Sequence, residues 1–107
     1  MKLKNVVGLI REESRKPVLS ALREFDIRGV TVTSTQGYGE YINTFDREGL
    51  NACVRIDVYI SEERAEEVAN IIMQAAHSGL EGDGLVVIVP VEGLYRIKDQ
   101  QAITEFA

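Results

Sequence analysis

The segment from Ala52 to Ile60 places the strongest constraint on the fold. Its sequence, ACVRIDVYI, alternates apolar residues at the even positions with mostly polar residues at the odd ones. Successive side chains of a β-strand point to opposite faces of the sheet, so this period of two predicts a strand with one buried face. We therefore expect an antiparallel sheet with one face packed on a core. The odd positions are Cys53, Arg55, Asp57 and Tyr59.

The residues before this segment predict a strand, a helix and a second strand. Lys2–Ile10 is rich in Val, Leu and Ile, which favours a buried strand. A helix is expected to start with Ser14 as its N-cap, to run to about Asp26, and to be ended by Gly29. Val30–Thr35 is strongly β-branched and predicts the next strand.

The residues after this segment predict a second helix and a further strand. Ser61 is the expected N-cap of the helix, and apolar residues at helical spacing continue to Ala76. Leu85–Val89 is an apolar strand, and a short extra strand is expected near Arg96. This order of elements predicts an α+β fold, a ferredoxin-like βαββαβ sandwich with an antiparallel sheet and both helices on one face.

The sheet face opposite the helices needs cover, which another copy of the chain could supply. We expect this face to be apolar because of Val54, Ile56, Val58, Val87 and Val89. The whole chain, 1–107, is predicted to be one domain, with an exposed loop at about 37–51 and a flexible tail at about 99–107.

Charge and composition exclude several classes of protein. A net charge of −5 argues against nucleic acid as the main partner, because duplex binding normally requires a basic stripe. The apolar content of 45% indicates a folded chain and not a disordered one. The longest apolar run, Leu85–Val91, is too short to span a bilayer, and the N-terminus has no signal-peptide pattern. We expect a cytoplasmic protein that does not insert into a membrane.

The segment Ser78–Lys98 combines a glycine-rich loop with two cations. The glycines of GLEGDG tolerate positive φ, so the loop can turn several backbone N–H groups inward as an anion-binding nest. Arg96 and Lys98 are two residues apart and would share a face if the chain is extended there. Amides and paired cations together predict a phosphate site. The alternative remains open that the loop is only a turn and that the basic pair is a solvated surface.

Catalytic and metal chemistry have little support in the sequence. His77 follows the second helix, where an interaction with the helix dipole or a plain surface role is favoured over a catalytic base. Cys53 is the only cysteine, which excludes an internal disulfide and a cysteine-cluster metal site. We therefore predict no catalytic residue and no metal site.

The polar segment Glu40–Asn51 has no clear period and separates two strands. A loop of this length inside a compact domain is usually functional or disordered. Its exposed side chains are candidates for contact with a protein partner, although local packing would explain them equally well. The candidate partner-binding residues are Tyr38, Tyr41, Phe45 and Arg47.

These motifs resemble the PII signal-transduction proteins and their PII-like relatives over nearly the whole chain. The most specific match is SGLEGDG followed by an apolar strand and YRIK, which is similar to the family's T-G-x-x-G-D-G-K segment and its later R-I-R. The GVTVT strand at Gly29–Thr33 and the GYG turn at Gly37–Gly39 agree in spacing with the family. Several matches at consistent spacing are more specific than any one of them.

The resemblance implies a homotrimer that binds an adenine nucleotide (ADP, AMP or ATP) in the clefts between subunits. It implies no obligatory cofactor, and a protein target, such as a membrane transporter or a carbon or nitrogen assimilation protein, bound through the exposed loop. The residues implied to hold or neutralise phosphate are Gly82, Asp83, Gly84, Arg96 and Lys98. Those implied to lie near the ribose or the base are Gly29, Thr31, Gly37, Asp57 and Tyr59.

The chain also departs from the family's pattern. Leu85 stands where the family has a lysine after G-D-G, and Lys98 replaces an arginine, which keeps the charge but loses the bidentate fork. AMP or ADP is therefore expected to compete better against ATP than in ordinary members. Tyr41 replaces the glutamine that helps to bind magnesium and 2-oxoglutarate, which argues against 2-oxoglutarate sensing. The loop lacks the T-E-L-Y-R-G-A-E-Y pattern, so uridylylation at a matching site is not expected.

Three classes of function are compatible with these features. The leading hypothesis is a non-enzymatic sensor, in which nucleotide occupancy orders or releases the exposed loop. A weak nucleotide hydrolase could use the same phosphate site, but no convincing nucleophile or base accompanies Asp83. A trimeric metal- or small-molecule-binding module of the same fold would leave the glycine loop as a turn.

Overall fold

A central antiparallel sheet organises the fold. The computed structural model describes residues 2–38 and 49–104. Strand β1 spans Leu3–Ile10, β2 spans Thr31–Gly37, β3 spans Asn51–Ser61 and β4 spans Gly84–Val91. The strand order is β2-β3-β1-β4, and each neighbouring pair is antiparallel. Together with the two helices between the strands, this order confirms the predicted ferredoxin-like fold.

Two helices cover one face of the sheet. Helix α1 spans Arg15–Glu24 after a short 3₁₀ turn at Glu12–Ser14, and α2 spans Glu62–Ala76. Neither helix is long and apolar enough to cross a membrane. The even positions of β1 and β3 face the helices, and each large apolar side chain buried there contributes about 1.5–3 kcal/mol. The fully buried side chains are Val6, Val18, Leu22, Val54, Ile56, Val58, Ile60, Val68 and Ile72.

The observed core corrects one expectation about the open face of the sheet, the face opposite the helices. Val54, Ile56 and Val58 are fully buried in the core beneath the helices, because they share the even parity of that face. Val87 and Val89 do lie on the open face, and they are 43% and 39% exposed. The exposed apolar side chains of the open face therefore include Val87 and Val89 of β4 and Tyr59 of β3, but not the even-numbered residues of β3.

The end of α1 also differs from the prediction. Asp26 adopts a φ of 60° and its N–H donates to the Arg23 carbonyl at 3.0 Å. The Ile27 N–H donates to the Leu22 carbonyl at 2.9 Å. This pair of bonds is a Schellman motif, and aspartate enters the left-handed region more readily than most residues. Asp26 therefore ends the helix in place of Gly29.

The two predicted N-cap serines occupy the expected positions but form no capping hydrogen bond. Ser14 precedes α1 and Ser61 precedes α2, and neither side chain caps the helix. The first N–H of α2, on Glu62, donates instead to the Lys2 carbonyl at 2.9 Å. Backbone pairing with the start of β1 thus replaces side-chain capping at this helix.

The residues after β4 form a small hairpin. Strand β5, Tyr95–Arg96, pairs antiparallel with β6, Gln101–Ala102. The extra strand predicted near Arg96 is confirmed. The hairpin includes residues 99–102, the first part of the segment predicted to be a flexible tail.

Gly84 is held in a conformation that requires glycine. Its φ is 117°, and a Cβ atom there would lie 1.9 Å from the Leu9 carbonyl oxygen. We predict that Gly84→Ala lowers the free energy of unfolding by more than about 2 kcal/mol, measured by urea denaturation, because strain and a backbone clash combine. Gly79→Ala is the matched control, with a φ of 83° and its nearest contact at 3.9 Å. It should cost about 1 kcal/mol; equal losses in the two variants would contradict the clash.

Candidate functional site

The glycine-rich loop joins the end of α2 to the start of β4. Three of its glycines take positive φ values, 83° at Gly79, 84° at Gly82 and 117° at Gly84. These values turn the backbone sharply over a few residues, as the sequence predicted.

The Asp83 side chain turns back into its own loop. Its Oδ2 atom accepts hydrogen bonds from the backbone N–H of Ser78 at 2.8 Å and of Gly79 at 3.0 Å. The Ser78 hydroxyl donates to Oδ1. Hydrogen bonds from Ser78, followed by the bond from Gly79 and the charge of Arg11, lower the pKa of the Asp83 carboxyl. These N–H groups, predicted to face an external anion, therefore bind the chain's own carboxylate.

Arg11 fixes the other side of the loop and was not identified from the sequence. Its Nε atom donates to the Gly82 carbonyl at 3.0 Å, and its Nη2 atom donates to the Glu81 carbonyl. Nε also lies 3.7 Å from Oδ1 of Asp83. Arg11 follows Ile10, which pairs with Gly84 across the sheet. The only signal in the sequence was a cation directly after an apolar strand, and strand pairing was needed to place it beside the loop.

The two predicted cations lie at the opposite end of β4. The eight residues of this strand separate the glycine-rich loop from the hairpin by roughly 23 Å. Arg96 ends β5 and forms an ion pair with Asp99 at 3.0 Å, whereas Lys98 is exposed in the turn that follows. The chain is thus not extended from Tyr95 to Lys98, and the condition for Arg96 and Lys98 to share a face is not met. A single chain does not bring its loop and its basic pair together.

The residues predicted to surround the ribose and base lie along β2 and β3. Thr31 pairs with Asp57. Gly37, the last residue of β2, pairs with Asn51, the first residue of β3. Tyr59 follows Asp57 on the open face and is 37% exposed, while Gly29 lies just before β2.

Asp57 is bound by two side chains of its own chain. Arg55 donates from Nη2 to Oδ1 at 2.9 Å, and the Asn5 amide donates to the same oxygen at 3.1 Å. The hydrogen bond from Arg55 is the main cause that lowers the pKa of Asp57. Asn5 and Arg55 were not predicted as site residues.

The structure describes one of the four candidate partner-binding residues. Tyr38 is 63% exposed at the end of β2, whereas Tyr41, Phe45 and Arg47 lie outside the described residues. His77 is exposed, with Nδ1 4.0 Å from Oδ2 of Asp83.

Cys53 is buried, and burial raises the pKa of its thiol. Within residues 2–38 and 49–104, no three His, Cys, Asp or Glu side chains are grouped as metal ligands.

Comparison with known proteins adds a family assignment to this geometry. The family model "Nitrogen regulatory protein P-II" matches residues 3–101. The nitrogen regulatory protein P-II of Azospirillum brasilense is 32% identical over 108 residues, covering 90% of this chain and 92% of that protein. Nitrogen regulatory protein GlnK of Escherichia coli K12 is 29% identical, covering 94% and 96%.

A plant relative is similar in sequence, and one plant PII structure is similar in fold. The P-II homologue of Arabidopsis thaliana is 30% identical over 91% of this chain, and the match spans 54% of the homologue, about half its length. The crystal structure of Arabidopsis PII bound to citrate superposes with a TM-score of 0.82 at 28% identity, covering 96% of this chain and 90% of the other.

The bonds of Asp83 predict a pH dependence. Because the folded-state pKa of Asp83 is lowered, its contribution to stability is complete above the unfolded pKa and is lost as the pH falls through the folded value. Asp83→Ala should lower stability at pH 7, and urea denaturation should show this difference from the wild type shrinking towards pH 2. Amide exchange at Ser78 and Gly79 should accelerate in the variant.

The control for this prediction is Asp99→Ala, which removes a carboxylate bound to Arg96 and the Gln101 N–H in the hairpin. It should leave amide exchange at Ser78 and Gly79 unchanged. Unaltered exchange at these amides in Asp83→Ala would show that the carboxylate does not hold the loop.

Proposed function

The chain belongs to the nitrogen regulatory protein P-II family, and from this premise we propose that it is a cytoplasmic, non-enzymatic regulator that senses adenine nucleotides. Three copies form a homotrimer, with one nucleotide in each cleft between subunits. Nucleotide occupancy orders or releases the loop at 37–51, and this loop docks on a protein target, such as a membrane transporter or a metabolic enzyme.

The position of the glycine-rich loop relative to Arg96 and Lys98 is the observation that carries this proposal. The glycine-rich loop and the hairpin with Arg96 and Lys98 lie at opposite ends of β4. A phosphate chain held by both therefore needs the loop of one copy and the hairpin of another. A site at the junction of two subunits meets this requirement, whereas a site within one chain does not.

The open face of the sheet supports assembly. Val87 and Val89 are large apolar side chains that are 43% and 39% exposed, and Tyr59 on the same face is 37% exposed. Exposed apolar side chains grouped on one sheet face favour contact with another protein surface. A second copy of the chain is the partner that also completes the phosphate site.

The small number of cations at the site favours nucleotides with few phosphates. Arg96 shares its charge with Asp99, and Leu85 provides no cation beside the glycine-rich loop. Fewer cations leave the terminal phosphates of ATP with less compensation, so AMP and ADP compete with it effectively. The citrate bound by the Arabidopsis PII protein also supports an anion-binding function in this fold.

The proposed signal is a change in the equilibrium of the exposed loop. Gly37 is the last residue of β2 and pairs with Asn51. The exposed loop therefore leaves the sheet at the same end that carries Arg11 and Gly84. A nucleotide shifts the loop only by its difference in affinity for the two loop states, for which about 1–3 kcal/mol is typical.

Nucleotide hydrolysis fits the geometry less well than sensing. The Asp83 carboxylate accepts hydrogen bonds from Ser78 and Gly79 and faces Arg11. Its oxygens are thus committed to the loop, whereas a general base needs a free oxygen directed at the attacking water.

The phosphate site is tested by the double variant Arg96→Ala/Lys98→Ala. Calorimetric titration should show ADP binding at least about tenfold more weakly, because two charged hydrogen-bond donors are lost. Lys16→Ala/Arg23→Ala removes the same number of charges from exposed positions on α1 and should bind ADP like the wild type. Equal ADP affinity in the two double variants would refute the proposed role of the hairpin.

The assembly is tested by placing a charge on the open face. Val87→Glu should shift the mass measured by sedimentation from trimer towards monomer, because an unpaired carboxylate would be buried at the interface. Met73→Glu is the control, since Met73 is 49% exposed on α2, on the other side of the sheet. A Val87→Glu protein that remains a trimer would place the interface elsewhere.

A further inference from the structure

Strand β4 forms one edge of the sheet. The strand order β2-β3-β1-β4 gives it a single strand neighbour, β1, among residues 2–38 and 49–104. We call the side of β4 that faces away from β1 the outer edge. Backbone N–H and C=O groups on an edge of this kind can pair with a strand of another chain, which leads to self-association.

The sequence of β4 favours such pairing. Leu85–Val91 contains no charged residue and is rich in β-branched side chains. Val87, Ile88 and Val89 are 43%, 39% and 39% exposed, so the centre of the strand is accessible from both faces of the sheet. Short uncharged segments of high β-propensity associate readily with copies of themselves unless a proline or a charge interrupts them. Pro90 is the interruption within this segment.

The pairing of β4 with β1 shows that Pro90 lies on the outer edge. In an antiparallel pair, alternate residues direct both backbone groups to the partner strand, and the residues between them direct both groups away. Pro90 has no N–H to donate to β1, so its parity is the outward one. The Leu9 carbonyl oxygen lies against the start of β4, as expected if Leu9 and its partner Leu85 form a hydrogen-bonded pair of the other parity. Val86 and Ile88 share the parity of Pro90 and direct their N–H groups outward.

The outer edge is blocked at both ends. Gly84 has the outward parity, but its φ of 117° lies outside the range of an ordinary strand. At the other end, Pro90 offers a C=O group and no N–H. Only Val86 and Ile88, between these ends, can exchange both hydrogen bonds with an added strand. Two such residues are fewer than a stable pairing requires, since even an isolated two-stranded hairpin is marginal in water.

We propose that Pro90 is a stop residue, which prevents β4 of one copy from pairing with β4 of another. A second β4 is the partner that fits, because it brings the same uncharged side chains and the same outward groups. In an antiparallel pair centred on Val87, Val86 of one copy faces Ile88 of the second, and Pro90 faces Gly84. Each of the two outer pairs then lacks the hydrogen bond that the N–H of residue 90 would donate.

This role is independent of nucleotide binding, because it depends only on the register and composition of β4. It also leaves assembly through the open face unaffected. The stop acts on the backbone groups of the outer edge, whereas the open face is covered through side chains such as Val87 and Val89.

The test compares Pro90→Val with the wild type in the full chain, by sedimentation and light scattering over a series of concentrations. Valine restores the N–H and leaves Leu85–Val91 uninterrupted. Species heavier than the wild-type assembly should appear at about tenfold lower protein concentration, because a hydrogen bond is gained in each outer pair. Hydrogen exchange at the Val86 and Ile88 amides should be slower in these species than in the wild-type protein. Pro90→Thr serves if Pro90→Val does not fold.

Two controls separate strand pairing from a general loss of stability. Pro90→Lys also restores the N–H but places a charge on the outer edge, which opposes pairing, so it should sediment as the wild type does. Pro17→Val makes the same change at an exposed position of α1 and should not alter self-association.

Three results would overturn the proposal. The first is a folded Pro90→Val protein that sediments as the wild type does. The second is the formation of heavier species to an equal extent in Pro90→Val and Pro90→Lys, which would exclude edge pairing as the cause. The third is fast exchange of the Val86 and Ile88 amides in the heavier species, since their N–H groups would then be unpaired.

Discussion

Burial of the helix-facing side of β1 and β3 is the constraint on which the rest of the structure depends. A slip of one residue in the register of β3 would place Arg55 and Asp57 beneath the helices and expose Ile56 and Val58. Burial of this charged pair in that core would carry a large desolvation cost, which the observed register avoids. The register of β1 with β4 pairs Ile10 with Gly84, so the glycine-rich loop ends beside the end of the central strand.

The glycine-rich loop is preorganised by contacts that are distant in the sequence. Asp83 binds the amides at its start, while Arg11 binds the carbonyl groups of Glu81 and Gly82. A loop already fixed by such bonds loses less conformational entropy when a ligand arrives, which favours binding. The same bonds make the Asp83 side chain a structural part of the loop and not a free ligand for phosphate.

Most of the fold could be predicted from the sequence because periodicity reports burial directly. The alternation in β3, the apolar stripe of α2 and the β-branched run in β2 all correspond to observed elements. The end of α1 could not be predicted in this way, because an aspartate, Asp26, takes a backbone conformation that glycine usually supplies. The open face was partly misassigned because a list of valines does not show which of two faces each one occupies.

The candidate site was harder to predict because its contacts are set by strand pairing. The glycine-rich loop was identified by its residues alone. Arg11, Asn5 and Arg55 were not, since each acts on a partner whose position becomes known only with the sheet register. The separation of the loop from the basic pair likewise follows from the length of β4, although no local motif reports it.

That separation has a genetic consequence if the proposed assembly holds. A chain damaged only in its loop and a chain damaged only in its hairpin would each form a ring with no intact site. When both are made in one cell, mixed rings contain a junction where a sound loop meets a sound hairpin. Two inactive alleles could then restore partial activity together, which damage at two ends of a self-contained site would not allow.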